Sequence, residues 1–348
     1  MEETPQPNTP ILEVAWNRYA QYDVAANKKK RIQYTMHKWV ATLGILATLF
    51  AILTSVYPES LPAWGGTTIG IILILLPILA SILAAFVNKF YPGNDWLVLR
   101  AGAEQVMKEI YQYRTILQTT DRRRRHWLDN RLREIQHEVF NGLNGELIFD
   151  AYNGKLPPPH KDGSERKDGG FSDLKEDEYY ALRLCDQRDW HLKRVNSSHR
   201  ERVRLQIWIL LVGGAGTFLA AMGGSFSLWV ALATSIATAL IGWQEIKNLD
   251  MAVRNYSKVV HDLTAVSDRW NQLSDTERTR KEYYRMVKDT ETVLWNQNRE
   301  YLKSMKDAFE SARMEEEDIV NQTLDGTAPT PATTSSPASP APAEGGAG

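Results

Sequence analysis

Three stretches of this chain, 39–58, 60–88 and 205–244, contain no Asp, Glu, Lys, Arg or His. A helix needs about 20 apolar residues to cross a bilayer core. The first two stretches, of 20 and 29 residues, therefore supply one span each. The third has 40 residues, enough for two, and the turn-forming Gly223-Gly224-Ser225 divides it. The expected fold is an all-α, polytopic membrane protein. Two transmembrane helical hairpins, with spans near 39–57, 66–88, 205–222 and 226–243, carry long cytoplasmic amphipathic helices. The rival is a helical hairpin buried in a large soluble core, but four such runs exceed what soluble helices carry. Mean hydropathy over the whole chain is negative only because charge is segregated.

Lysine and arginine set the expected orientation. Residues 1–38 carry 6, residues 89–204 carry 22 and residues 245–348 carry 13, so all 41 lie outside the spans and the hairpin turns. Positive flanks stay inside, which places both termini and the central region in the cytoplasm of a cell-membrane protein. Trp39, Trp64, Trp208, Trp229 and Trp243 lie near span ends, where amphipathic rings favour the interface. The first 38 residues are polar and lack the apolar core of a cleavable signal peptide. The single Cys185 excludes an internal disulfide.

Each half of the chain runs from a basic helix through a membrane hairpin into a helix with an apolar stripe. The first stripe is Leu99, Ala103, Val106, Ile110, Tyr113 and Leu117; the second is Leu249, Val253, Tyr256, Val260, Leu263 and Trp270. Steps of three and four suit packing against a partner helix in a coiled coil. The expected organisation is a first unit at 9–120 and a cytoplasmic helix with a flexible Pro/Gly linker at 121–172. A second unit follows at 173–318, then a disordered Pro/Ala/Thr/Ser-rich tail at 319–348. Ser172 is the expected N-cap of the helix leading to the third span, and Ser274 or Asp275 that of the last helix.

No catalytic constellation emerges, and neither an enzyme nor a cofactor is expected. Gly213-Gly214-Ala215-Gly216 lies inside a span without a following Lys, unlike a phosphate loop. His126 and His137 lack the i, i+4 spacing and the Cys partners of a zinc site. Small residues recur at helical steps in every span: Gly44, Thr48 and Ala51; Ser81 and Ala84; Gly213, Thr217 and Ala220; Ala231, Ser235, Thr238 and Gly242. Such faces let membrane helices approach closely. Alternatively one face lines a pore between subunits, with Thr48, Ser235 and Thr238 inside it and Asn88 at its mouth. No ionisable residue lies mid-span, which disfavours proton-coupled transport.

Lys28, Lys29, Lys30, Arg31, Arg200, Arg202 and Arg204 flank the spans and are candidates for lipid headgroups. Topology alone also explains them. Arg122–Arg125 stands farther off, as a solvated surface or an anion-binding patch. Near the C-terminus, Glu291 and Asn298 interrupt an apolar stripe and form a candidate cytoplasmic seam that sets register or oligomeric state.

After the first hairpin come Trp96, Arg100, Glu104, Lys108-Glu109 and Tyr113. That order resembles the helix after the hairpin in the SLATT family, two-membrane-helix domains associated with bacterial nucleotide-signalling conflict systems. Val287, Glu291, Leu294, Asn296-Gln297-Asn298 and Tyr301 are similar to the terminal helix of that family, with Asn298 and Tyr301 as departures. The resemblance spans 12–117 and 179–310 as two tandem units. It implies an oligomeric membrane effector that forms pores or perturbs the membrane. Its trigger would be a separate nucleotide-sensing or nucleotide-synthesising partner. Lipids and further copies of the chain are the other expected partners, and no nucleic acid is. The alternative is a non-conducting membrane scaffold whose cytoplasmic helices recruit partners.

Overall fold

The computed structural model describes residues 10–56, 63–90, 94–115, 121–143, 150–159 and 168–297. Among the described residues the regular structure is helical throughout. In chain order the helices are α1 (Ile11–Val56), α2 (Ala63–Phe90), α3 (Asn94–Thr115) and α4 (Asp121–Gly142). Then come α5 (Glu176–Met222), α6 (Trp229–Lys247), α7 (Leu249–Gln272) and α8 (280–297). Four helical stretches, within α1, α2, α5 and α6, are long and apolar enough to cross a membrane.

The basic approach helices and the spans are not separate elements. α1 runs 46 residues without a break, about 70 Å at the α-helical rise, and α5 runs 47. Neither 11–43 nor 176–212 contains a Gly or Pro, so no helix breaker ends either rod before its apolar stretch. Each rod therefore joins a polar end to a membrane end. The second hairpin turns where the sequence placed it: Gly223 and Gly224 have φ of 64° and 58°, a region glycine enters without steric cost. A short 3-10 turn, Gly224–Leu228, leads into α6. Between α6 and α7, Asn248 adopts the left-handed conformation, φ 45° and ψ 50°. Its N–H donates to the Glu245 carbonyl at 2.8 Å, and its carbonyl accepts from Ala252 N–H at 2.9 Å. Asn tolerates this region better than other residues with a Cβ.

At the polar end both halves of the chain enter one core. α1 contributes Leu12, Trp16, Tyr19 and Tyr22, and α3 contributes Leu99, Val106 and Ile110. α4 adds Leu128, Ile135 and Val139, while Tyr179, Leu184, Trp270, Tyr283 and Val287 come from the second half. Gly102 marks the tightest approach. A Cβ there would lie 2.4 Å from Val139 Cγ2 and 3.2 Å from Tyr22 Cδ2.

The described end of the Pro/Gly-rich segment is fastened to this core. Trp16 Nε1 donates to the Gly170 carbonyl at 2.8 Å. The buried Arg114 holds Asp168 through two hydrogen bonds, at 2.5 and 2.8 Å, and the Ser172 carbonyl at 2.7 Å. Ser172 is thus part of an extended strap, not an N-cap. α5 begins at Glu176, where Glu178 accepts from Lys175 N–H at 2.9 Å. The last helix likewise begins later than expected, at 280. Ser274 and Glu277 bond each other in a preceding turn, and Tyr283 N–H donates to the Thr279 carbonyl at 3.0 Å. The expected tail at 319–348 lies outside the described residues.

Candidate functional site

The membrane end divides into inner and outer helices. α1 packs on α2, α5 on α6, and α1 also on α6, which joins the two hairpins. Tyr34 and Trp243 meet edge to face at 5.7 Å on that seam, with Lys38 Nζ 4.8 Å from the Trp243 ring. Large exposed apolar side chains concentrate on the other two spans. α2 presents Ile74 at 66% exposure and Ile82 at 60%; α5 presents Leu210 at 74% and Phe218 at 65%. These faces suit lipid or another copy of the chain.

Within the α5–α6 hairpin the close contact is at Gly216, which is buried and whose Cβ would lie 3.2 Å from Ala233 Cβ. The stripe singled out from sequence is on a different face. Gly213, Thr217 and Ala220 are exposed, and a Cβ at Gly213 would meet nothing within 4 Å. Thr48 and Ser235 are half-buried and Thr238 is exposed. The Thr48 hydroxyl donates to the Gly44 carbonyl at 3.1 Å, and Thr217 donates to Gly213 at the same distance. The side chain of Asn88 lies outside the described residues, as does Asn298.

Three of the seven flanking basic residues pair with carboxylates of the protein. Lys28 pairs with Asp150 at 2.8 Å, Lys29 with Asp95 at 2.5 Å and Arg202 with Asp250 at 2.9 Å. Arg31, Arg200 and Arg204 are exposed. In the Arg122–Arg125 run, Arg124 pairs with Asp173 at 2.7 Å and lies 4.4 Å from the Tyr113 ring centre. Arg123 and Arg125 are exposed, and the Arg122 side chain lies outside the described residues.

Lys30 points elsewhere. It lines a polar cavity of about 300 Å³ between the two halves of the chain. α1 supplies Asn27 and Lys30, and α3 supplies Trp96, Arg100 and Glu104. α5 supplies Arg183, Gln187, Trp190, His191 and Arg194; Tyr256, Leu294 and Gln297 close it from α7 and α8. Arg100 pairs with Asp23 and Glu104. Lys30 Nζ lies 4.6 Å from the Trp96 ring centre, and the Arg194 guanidinium lies 5.0 Å from that of Trp190. Burial, together with Arg100, Arg194 and Lys247, lowers the Lys30 ammonium to a pKa of about 8. Burial pushes the His191 ring down to about 4, so it is neutral at physiological pH; its Nδ1 lies 2.6 Å from the Gln187 carbonyl.

Behind the cavity wall lies the polar group on the C-terminal stripe. Glu291 is 1% exposed and enclosed within the protomer. Arg183 grips both its oxygens, Nε to Oε1 and Nη2 to Oε2, each at 2.9 Å, and Tyr179 O–H donates to Oε1 at 3.0 Å. Arg183 also lies 4.1 Å from the Tyr111 ring centre of the first half. Arg183 sits in a π-helical turn, Tyr180–Cys185, inside α5; such turns re-aim side chains and are frequent at functional sites. Sequence reasoning found Glu291 but missed Arg183. The available signal was a lone acid on an apolar stripe, which requires a buried cation.

Five of the residues that carried the family resemblance meet at one place. Trp96, Arg100 and Glu104 from one half, and Leu294 and Gln297 from the other, line one cavity. Among the described residues no group of three or more His, Cys, Asp or Glu is placed to hold a metal. Comparison with known families matches residues 179–301 to "SMODS and SLOG-associating 2TM effector domain 1" (SLATT). Residues 17–116 match a family described as a protein of unknown function, DUF4231. No curated protein and no solved structure matches. The second half of the chain thus matches the two-membrane-helix effector domain of the SLATT family, and the first half matches DUF4231.

Proposed function

We propose that this protein is an oligomeric membrane effector that opens or perturbs the bilayer when a separate partner of a bacterial conflict system triggers it. That partner would sense or synthesise a nucleotide; the family's description names an association with SMODS and SLOG. The supporting observation is the exposed small-residue face Gly213, Thr217 and Ala220 on α5, left over after Gly216 has made the hairpin contact. Small faces without a partner in the protomer suit close contact between copies. The positive-inside bias supports a cytoplasmic position for both termini and the polar end, where a trigger would be available. Thr48, Ser235 and Thr238 remain the pore-lining candidates, on the two spans that join the hairpins.

The rival scaffold reading is favoured by the hydroxyls of Thr48, Thr217 and Thr234, each of which bonds a carbonyl of its own helix. Dye release from liposomes separates the two. Purified protein should empty dye-loaded vesicles, and Ser235→Leu should suppress release at unchanged abundance and oligomer size. Intact vesicles at saturating protein, with and without the cognate partner, would leave the scaffold.

A further inference from the structure

The cavity between the halves has walls of three kinds. Arg100 and Arg183 pair with carboxylates, and Lys30 and Arg194 lie over the rings of Trp96 and Trp190. Asn27, Gln187 and Gln297 add amide groups, and Trp190 with Tyr256 forms an edge-to-face aromatic wall at 6.0 Å. The Trp96 indole N–H is buried and has no acceptor among the described residues.

We propose that this cavity binds a small soluble phosphomonoester carrying a planar ring. The phosphate would meet Lys30 and Arg194, and the ring would rest against the aromatic wall. A phosphomonoester fits better than a carboxylate because it brings three acceptor oxygens and a charge of about −1.5 to −2. A volume of about 300 Å³ is at the lower end for small-molecule sites, which admits a phosphate with a ring and little more.

Position argues against a lipid headgroup. Lys30 precedes the interfacial Trp39 by nine residues on α1, and Arg194 precedes Trp208 by fourteen on α5. At the α-helical rise these are up to about 13 and 21 Å, beyond a headgroup zone of roughly 6 Å. Because α1 and α5 are continuous rods, a ligand held here bears on the same two helices that enter the membrane.

The test uses the full chain in phosphatidylcholine nanodiscs. Phenyl phosphate should raise the melting midpoint relative to chloride at matched ionic strength, and inorganic phosphate should need about tenfold higher concentration. Arg194→Gln, a change at an exposed position that leaves the core intact, should weaken the phenyl phosphate response about tenfold. Lys30→Gln with Arg194→Gln should abolish it. No shift beyond chloride, or an undiminished shift in Arg194→Gln, overturns the proposal. A second set of nanodiscs contains phosphatidic acid. If that lipid stabilises the parent but not the double variant, and cancels the phenyl phosphate response, the site takes a headgroup and the soluble ligand is overturned. Melting reports binding whether or not the protein conducts, so failure here is distinguishable from failure of the pore reading.

Discussion

The two ends of this molecule are held together by different means. At the polar end, helices from both halves interlock around Trp16, Ile110, Tyr179 and Tyr283, with the Arg183–Glu291 pair sealed beside them. At the membrane end only 6% of each apolar window is buried. Water drives the first arrangement, because apolar surface and half-paired charge are both expensive there. Lipid removes that drive, so membrane helices associate through close packing at small residues. The polar end is therefore closed within one chain, while α2 and α5 present apolar surface to something outside it.

If that contrast is right, the largest single effect should come from the polar end. Glu291→Leu leaves the Arg183 guanidinium buried without its carboxylate and should destabilise by about 3–5 kcal/mol. Adding Arg183→Met should recover most of the loss, since replacing both partners removes the stranded charge. Chemical denaturation in detergent measures both, and a double variant as weak as the single one would show that Tyr179 and the π-helical turn matter more than the pair.

Gly102→Ala should cost about 1–3 kcal/mol by overpacking against Val139 and Tyr22, read in the same denaturation experiment. A neutral result would mean that α4 can shift away, and that the shared core is looser than its contacts indicate.

In the membrane the informative pair is Gly216 and Gly213. Gly216→Leu should force α5 from α6 and lower protein abundance, since Ala233 already sits where the side chain would go. Gly213→Leu should leave the protomer intact and reduce crosslinking between copies by an amount equivalent to about 1 kcal/mol. Equal behaviour of the two would erase the distinction between hairpin face and outer face.

The remaining effect is absent at neutral pH and develops only as the solution is acidified. His191 has its ordinary pKa of 6.5 when unfolded and about 4 when folded, through burial first and the nearby Arg183 and Arg194 next. Between those values the unfolded chain binds a proton that the folded chain does not, so stability falls as pH falls from 6.5 to 4. The slope from this group is at most about 1.4 kcal/mol per pH unit. His191→Gln should flatten that part of the stability curve. A parallel curve would assign the dependence to other groups.

The four spans, the glycine turn at 223–224 and the all-helical class were legible in the sequence because each depends on local composition. Charge-free runs of sufficient length have few stable alternatives in lipid, and positive φ at a turn selects glycine. The residues of the family resemblance were legible too, but not their meeting place. That Lys30, Trp96, Trp190 and Gln297 share a cavity depends on how α1, α3, α5 and α8 pack. Nor does spacing reveal that Glu291 faces Arg183, 108 residues away, instead of a second subunit. Periodicity assigns a residue to a face of its own helix; which helix covers that face is decided by long-range packing. The same limit explains α5 in the membrane, where Gly213 and Gly216 lie three residues apart in equally small surroundings. Only the crossing of α5 over α6 decides that Gly216 meets Ala233 and Gly213 faces outward.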